Sequence, residues 1–277
     1  MAKDRSGAGD PVRTLELLWR EPGEGARPGR RGPRQGLSVD AVVLAATALA
    51  DEEGLASVTM RALAQRLGVT PMTPYTYVPG KAELLDLMLD DAYKGMARSE
   101  GPGGGGAGAA GTGAGAAGTG AGAEGGAEPW RARITRVAED NRALLLRHPW
   151  IADLAVTRPP LGPGVIGKYE YELAAFDGIG LTDAEMDAAL THLLGFVHAN
   201  ALAAADAAAH NSRQSDEEWW AVSAPLLERA MDPGRYPLGV RVGSTVGAYD
   251  PAAVWEFGLR CVLDGLARLI DSRAGQP

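Results

Sequence analysis

The chain has 277 residues, of which 45% are hydrophobic, so it can bury a sizeable core in one large domain or in two. Its net charge of −8 excludes a protein that is basic throughout, but the charge is unevenly spread. Residues 27–81 hold seven Lys or Arg against four Asp or Glu, whereas residues 82–277 hold 16 against 26. Only the first of these segments is therefore suited to bind a polyanion.

The single cysteine, Cys261, excludes an intrachain disulfide and any zinc site built from cysteines. It lies in an apolar helical pattern, which favours a buried structural thiol over a redox sensor. The N-terminal residues lack the apolar core of a signal peptide, and no run approaches the ~18 apolar residues of a membrane span. We therefore expect a cytoplasmic protein with no membrane partner.

Residues 1–36 are predicted to form an N-terminal segment that ends in a basic, flexible arm. Residues 14–20 include the apolar stretch LELLW, which is expected to form a helical turn and dock on the body of the protein. Residues 21–36 are rich in Gly, Pro and Arg, and include Arg27, Arg30, Arg31 and Arg34. These four arginines are predicted to contact nucleic acid, and the alternative is a solvated linker that happens to be basic.

Residues 37–80 predict a helix-turn-helix DNA-binding domain. Ser38 and Thr59 are suited to cap the first two helices, and Gly68 to end the second. Thr70 and Pro71 then predict the start of a third helix, because proline is tolerated at the first helical position. This arrangement places a recognition helix in the DNA major groove, and the basic arm before it would reach the adjacent minor groove.

Residues 81–277 predict a larger helical domain, and no strand pattern stands out anywhere in the chain. A fourth helix is expected from residue 81 to about 98. Residues 101–127 follow, with 14 Gly and 9 Ala among 27 residues, and are predicted to be a flexible insertion because so many glycines make ordering costly. The predicted fold class is all-α, with a three-helix DNA-binding head joined to this domain.

The remaining helices are marked by capping patterns. Helices are predicted over residues 130–147, 165–176, 182–210, from 215 onwards and over 250–272. Residues 182–185 and 215–218 match the capping box, and Asp250-Pro251 is a cap followed by proline at the first position. The last helix is apolar on more than one face, so it must be covered on two sides. Residues 232–249, with Gly and Pro throughout, are predicted to be irregular.

With these elements in place, residues 37–90 resemble the TetR family of bacterial transcriptional repressors. The matching residues are AATALADEEG at 45–54, Thr59-Met60-Arg61, Leu63-Ala64, Leu67-Gly68-Val69, Tyr75, Lys81, Leu84-Leu85 and LDLML at 85–89. The C-terminal half is similar to the effector-binding domain of the tetracycline-repressor branch, through His148-Pro149-Trp150, RPPLGP at 158–163, Gly180-Leu181, Gly195 and Phe257-Gly258-Leu259. The resemblance implies a homodimer, with a four-helix bundle from two C-terminal helices per subunit. It also implies that a small-molecule effector shifts the heads apart and releases double-stranded operator DNA.

The resemblance also implies which residues contact DNA. Its base-reading positions correspond to Arg61, Met72, Thr73 and Thr76, whose side chains can pair with guanine or pack against a thymine methyl group. Its phosphate-binding positions correspond to Thr59, Thr70, Tyr75, Tyr77 and Lys81. The simpler alternatives are that each threonine only caps a helix and that Tyr75 only packs.

Four positions depart from the family pattern. Pro74 stands where an aliphatic residue usually packs the recognition helix, so we expect a short or slightly distorted helix. Tyr77 replaces a common histidine, and Thr76 replaces a common aromatic residue or arginine, so the operator preference should be its own. Leu154 aligns with the histidine that ligates magnesium in tetracycline-binding members, which argues against a metal-chelated tetracycline. No cofactor and no metal are expected.

An effector site is expected to be apolar with a few convergent polar groups. The candidates are His148, His192, Phe196, His198, Asn200 and Trp219. The alternative for each is a satisfied structural histidine or a core aromatic residue. The alanine run at 203–209 could leave room for a ligand or let two helices approach closely at a dimer interface.

Three other functions are alternatives to a ligand-released repressor. An enzyme is disfavoured, because the chain has no G-x-S-x-G, P-loop, H-E-x-x-H or Cys/His metal spacing, and no catalytic residue is predicted. A DNA-binding module without an effector is a second alternative, although the C-terminal half is long for dimerisation alone. An activator is a third, because the position of the operator sets the sign of regulation.

Overall fold

The computed structural model describes residues 5–21, 37–99, 128–156, 158–211, 215–246 and 250–274. The α-helices are α1 Pro11–Leu18, α2 Val39–Glu53, α3 Met60–Arg66, α4 Lys81–Lys94, α5 Trp130–Arg147, α6 Trp150–Asp153, α7 Pro163–Ala174, α8 Asp183–Asn211, α9 Asp216–Ala230, α10 Pro237–Val246 and α11 Pro251–Ala274. The predicted helical fold class is confirmed. The four predicted DNA-contacting arginines of the basic arm (Arg27, Arg30, Arg31 and Arg34) and the Gly/Ala insertion lie outside the described residues.

The first two helices of the DNA-binding head begin and end as predicted. The Ser38 side chain accepts a hydrogen bond from the backbone N–H of Ala41 at 3.1 Å, and Thr59 does the same for Ala62 at 3.1 Å. Gly68 takes a φ of +66°, which lets its N–H and that of the next residue close the end of α3. These caps are local, because each residue acts on the helix beside it.

Helix α4 joins the head to the rest of the protein. Residues 83–90 are all buried, because α4 packs against α2 on one side and α7 on the other. Helix α7 approaches closely at Gly164, where a Cβ would overlap the backbone carbonyl of Asp90. One apolar core therefore runs from α2 and α4 into the α5–α6 corner, where Trp150 is 1% exposed.

A second apolar core lies among α5, α7, α8 and α11. Phe196 of α8 stacks on Trp255 of α11 with ring centroids 5.3 Å apart, and a Cβ at Gly258 would overlap the Phe196 ring. Among the described residues, α8 is the one helix long and apolar enough to cross a membrane by length and composition. A single such helix is weak evidence for a membrane span, and Leu193 and Val197 on its buried face belong to this second core.

Three sequence expectations about local structure are wrong. Two short strands, β1 Arg5–Ser6 and β2 Ala155–Val156, pair in parallel although no strand was expected. Helix α10 lies within the stretch predicted to be irregular, because Pro237 occupies the first helical position, where a missing N–H costs little. Cys261 is exposed in the single chain rather than buried, because it lies on a face of α11 that no described residue covers.

Candidate nucleic-acid interface and effector cavity

The recognition segment, defined here as residues 70–78, departs from α-helix more than expected. The Thr70 carbonyl accepts from the Thr73 N–H at 2.9 Å, and the Thr73 carbonyl from the Thr76 N–H at 3.0 Å. Pro74 has no N–H to offer the Thr70 carbonyl, so the segment tightens into turns that end in a 3-10 helix over Pro74–Thr76. The predicted third helix of the head is therefore reduced to this single turn.

Thr70 does not cap a regular helix, which corrects its predicted structural role. Its hydroxyl instead lies 2.9 Å from the Thr73 hydroxyl. Pro74 and Val78 are buried, and Tyr77 packs against the first core, so the inner side of the segment is fixed to the head. Met72 is 71% exposed and Tyr75 45% exposed, which leaves the outer side open to a partner.

The other predicted DNA-contacting residues differ in exposure. Thr59 and Arg61 are exposed at the start of α3, and Thr70 and Thr76 are exposed on the segment itself. Lys81 is half-buried at the first position of α4. The backbone N–H groups at the N-terminus of a helix can bind an anion such as a phosphate. Most of these side chains are therefore accessible to solvent, and their contacts with DNA stay a prediction.

A cleft of about 540 Å³ lies between α1 and the recognition segment. Its lining residues are Arg13, Glu16, Leu17, Arg20, Tyr75, Thr76, Tyr77 and Pro79. Arg20 forms an ion pair with Asp40 on α2, which holds α1 against the head. The apolar stretch LELLW predicted that this segment would dock, but the sequence did not show that it would lie beside the recognition segment.

A cavity of about 410 Å³ lies where α4, α5, α6, β2, α7 and α8 meet, and we call it the effector cavity. It is lined by Tyr93, Asn141, Leu144, Leu145, Ile151, Leu154, Val156, Lys168, Leu194, Val197 and His198. Its volume is within the range of small-molecule sites, as is its combination of apolar walls with a few polar groups.

Asn141, Lys168 and Tyr93 of the effector cavity form a connected cluster with Glu172. Lys168 donates to Glu172 at 2.5 Å, and the Asn141 side-chain amide donates to the same carboxylate oxygen at 2.6 Å. The Lys168 ammonium also lies 4.9 Å from the centre of the Tyr93 ring. Burial lowers the pKa of Lys168, against the opposing effect of Glu172, and raises the pKa of the Tyr93 hydroxyl to about 12. The cavity therefore offers a ligand a buried cation that is already paired.

Of the six predicted effector residues, only His198 lines this cavity. His148 instead binds Asp51 on α2, with its Nδ1 2.7 Å from the carboxylate, and Phe196 packs between α8 and α11. His192 is exposed on α8, and Trp219 is exposed on α9 against Trp220. These side chains lie in separate places because they belong to different helices or to different faces of α8.

Asn200 is buried, and neither polar atom of its side-chain amide has a hydrogen-bond partner among the described residues. It therefore stays a prediction for a polar ligand contact. The alanine run lines a separate groove of about 460 Å³ between α8 and the α5–α6 corner, which is consistent with room for a ligand. Neither Asn200 nor the alanine run lines the effector cavity.

Sequence reasoning missed Lys168, Glu172, Asn141 and Tyr93. Lys168 and Glu172 have the i, i+4 spacing of an ordinary surface ion pair, and nothing local marks them as buried. The sequence shows only that Lys168 and Glu172 share one face of α7. That α4 and α5 cover this face is known only from the structure.

The comparisons with known proteins agree with this architecture. Residues 42–88 match the family described as "Bacterial regulatory proteins, tetR family", and residues 123–270 match "Tetracyclin repressor-like, C-terminal domain". The chain is 37% identical over 275 residues to the HTH-type transcriptional repressor DrrR1 of Streptomyces coeruleorubidus, covering 99% of this chain and 92% of that protein. It is 27% identical over 256 residues to the HTH-type transcriptional repressor Rv1353c of Mycobacterium tuberculosis, covering 88% and 86% of the two chains.

Solved structures show the same fold. Apo ActR from Streptomyces coelicolor superposes with a TM-score of 0.64 at 23% identity, covering 85% of this chain and 97% of that one. The complex of ActR with actinorhodin gives a TM-score of 0.61 at 24% identity, with coverage of 87% and 99%. Both family matches, the relative that aligns over nearly the full length and the shared fold lead to one conclusion: this chain belongs to the TetR family of DNA-binding transcriptional regulators and is not an enzyme.

Proposed function

We propose that the protein is a cytoplasmic, homodimeric repressor that leaves its operator when a small molecule enters the effector cavity. The observation that carries this proposal is the position of α4. Its Tyr93 lines the cavity, while its first residue, Lys81, lies next to the recognition segment. A ligand that moves α4 would therefore change the spacing of the DNA-binding heads.

The proposed DNA surface consists of the exposed side of the recognition segment and the start of α3. Arg61, Met72, Thr73 and Thr76 are assigned to base edges, and Thr59, Thr70, Tyr75, Tyr77 and Lys81 to phosphates. The tightened segment is short, so we assign fewer base contacts to it than a full recognition helix would make. The head would comprise residues 37–80 and the effector and dimerisation domain residues 81–277, with α4 packed against both.

The proposed dimer rests on the apolar surface of α9, α10 and α11. Among the described residues, neither core includes a member of α9 or α10, and large apolar side chains stay exposed on all three helices. They include Trp219, Val222, Leu226, Leu238, Val242 and Phe257. So many exposed apolar side chains favour coverage by a second copy, which also meets the need for α11 to be covered on two sides.

The test begins with DNA. Purified protein is used to select duplexes from a random pool, and binding to the selected duplex is measured by fluorescence anisotropy at several salt concentrations. Lys81→Ala should weaken binding to all duplexes and lower the salt slope by about one per subunit, or about two for the dimer, because each subunit loses one phosphate contact. Arg61→Ala should cost ~1–3 kcal/mol and relax the preference at one base position. Failure of the wild-type protein to enrich any sequence would refute the repressor.

The dimer and the effector are tested separately. Phe257→Asp places a charge on the exposed apolar face of α11 and should convert a dimer to a monomer in light scattering, whereas Val12→Asp on α1 should not. Both side chains are more than 60% exposed in the single chain, so neither change disrupts a core. A thermal-shift screen then identifies effectors, since a ligand at 100 times its Kd stabilises by about 2.7 kcal/mol. A ligand that stabilises the protein but leaves the selected duplex bound would contradict ligand release.

A further inference from the structure

The N-terminal segment from Arg5 to Arg20, which we call the strap, connects three separate parts of the molecule. At its start, β1 pairs in parallel with β2, with Arg5 opposite Ala155 and Ser6 opposite Val156. At its end, Leu18 is buried in the first core and Arg20 pairs with Asp40 on α2. The strap therefore touches both the DNA-binding head and the wall of the body.

The strap is anchored to α4 through a buried carboxylate. Asp86 is 1% exposed and accepts from the Ser6 hydroxyl at 2.5 Å and from the Gly7 N–H at 2.9 Å. One turn earlier, Glu83 accepts from the Asp10 N–H at 3.2 Å. Because a buried carboxylate that loses its donors is costly, these contacts favour the docked strap. Ser6 and Gly7 bond the same oxygen of Asp86, so the two contacts should form or break together.

A further hydrogen bond closes the strap over the loop that follows β2. The indole N–H of Trp19 donates to the carbonyl of Leu161 at 2.9 Å. At the other end Gly7, with φ +72°, runs so close to the Arg158 carbonyl that a Cβ there would lie 2.8 Å from it. The loop between β2 and α7 is thus held by the strap at both of its ends.

The effector cavity lies on the other side of the same strand. Leu154 and Val156 line the cavity, and Val156 is the register partner of Ser6. Ser6 in turn donates to Asp86 on α4. Besides the direct contact through Tyr93, a second route therefore leads from the cavity wall to α4 through one strand pair and one hydrogen bond.

From this arrangement we infer that the strap is a coupling element, which transmits a displacement of β2 at the cavity wall to α4 and the DNA-binding head. The inference rests on the proposed function, because it assigns a route between the two proposed sites. Coupling of this kind needs an element with two discrete arrangements that both sites bias, and docking on Asp86 provides one. Linkage is reciprocal, so DNA bound at the head must also change the behaviour of β2.

Reciprocity allows a test without a known effector. The full-length dimer is mixed with the duplex selected above, and hydrogen exchange is measured for the peptide that spans residues 154–156. The strap is disabled in two independent ways, by deletion of residues 1–9 and by Asp86→Ala, which keeps the segment but removes its acceptor. Val12→Ala, at a position on α1 that is 65% exposed, is the matched control.

In the wild-type protein and the control, bound duplex should change exchange in this peptide by a factor of about 5 or more. In both strap variants the change should disappear while the duplex still binds. The inference would be overturned if the duplex changed exchange in the variants as much as in the wild type. It would also be overturned if the duplex did not change exchange in the wild-type peptide. Loss of duplex binding by both folded variants would also overturn it, because the strap would then be part of the DNA-binding surface. If no duplex is selected at all, the proposed function fails instead.

Discussion

Asp51 forms a contact between head and body whose energy can be worked out from the structure. It lies near the end of α2 and accepts from the Trp150 indole N–H at 2.8 Å, while the His148 Nδ1 lies 2.7 Å from the same oxygen. Asp51→Ala would leave the indole N–H without an acceptor, although the Trp150 side chain is almost fully buried. An unpaired buried donor costs ~1–3 kcal/mol, and a lost ordinary hydrogen bond ~0.5–1.5 kcal/mol.

The Asp51 side chain is 30% exposed, so water can partly replace it, and the lower part of this range applies. We therefore expect Asp51→Ala to lower the free energy of unfolding by about 1–1.5 kcal/mol, measured by urea titration with circular dichroism. Glu52→Ala is the matched control. That neighbouring carboxylate is bonded only to Arg66 in an exposed ion pair, so its removal should change stability little.

A double-mutant cycle isolates the contact itself. Trp150→Phe removes the indole N–H and keeps most of the ring, so Asp51→Ala should cost about 1 kcal/mol less in that background than in the wild type. Additive effects of the two changes, within ~0.3 kcal/mol, would refute the assigned hydrogen bond. Asp51→Ala also removes a contact that fixes the head to the body. It should therefore weaken the affinity for the duplex, measured by fluorescence anisotropy.

Two further predictions concern α4. Gly164→Ala should lower the free energy of unfolding by ~1–3 kcal/mol in urea titration, because its Cβ would overlap the Asp90 carbonyl. Gly167→Ala is the control, since a Cβ there would meet only the flexible end of the Arg98 side chain. Equal effects of the two changes would contradict the close packing of α4 and α7. Burial raises the pKa of Asp86 above its ordinary 3.8, so its stabilising contribution is full below that value and is lost as pH rises through the raised pKa. Asp86→Asn, which does not titrate, should therefore gain stability relative to wild type between about pH 4 and neutrality, and a difference that is constant with pH would refute this.

Much of the fold could be predicted because helix boundaries depend on nearby residues. Ser38, Thr59 and Gly68 act on the helix that each adjoins, so their roles follow from local chemistry. The capping box at Ser215 is present with both of its hydrogen bonds. Pro74 also acted locally, but the extent of its effect was underestimated, since a missing N–H near the start of a helix was expected only to shorten it.

The effector residues could not be predicted in the same way. The sequence around a histidine does not show which residue it will contact. His148 contacts Asp51, which is 97 positions away along the chain. Lys168 and Glu172 look like a surface pair in sequence, yet α4 and α5 cover them. Choosing candidates by residue type therefore located one of the six in the cavity.

The sequence by itself determined the helical class, most helix ends and the family. Each of these depends on the chemistry of a few consecutive residues or on their order. Only the tertiary structure decided which polar groups are buried together, where the effector cavity lies and that Ser6 reaches Asp86. Burial and hydrogen bonding between distant segments are set by how helices pack, and no local pattern encodes which segments will meet.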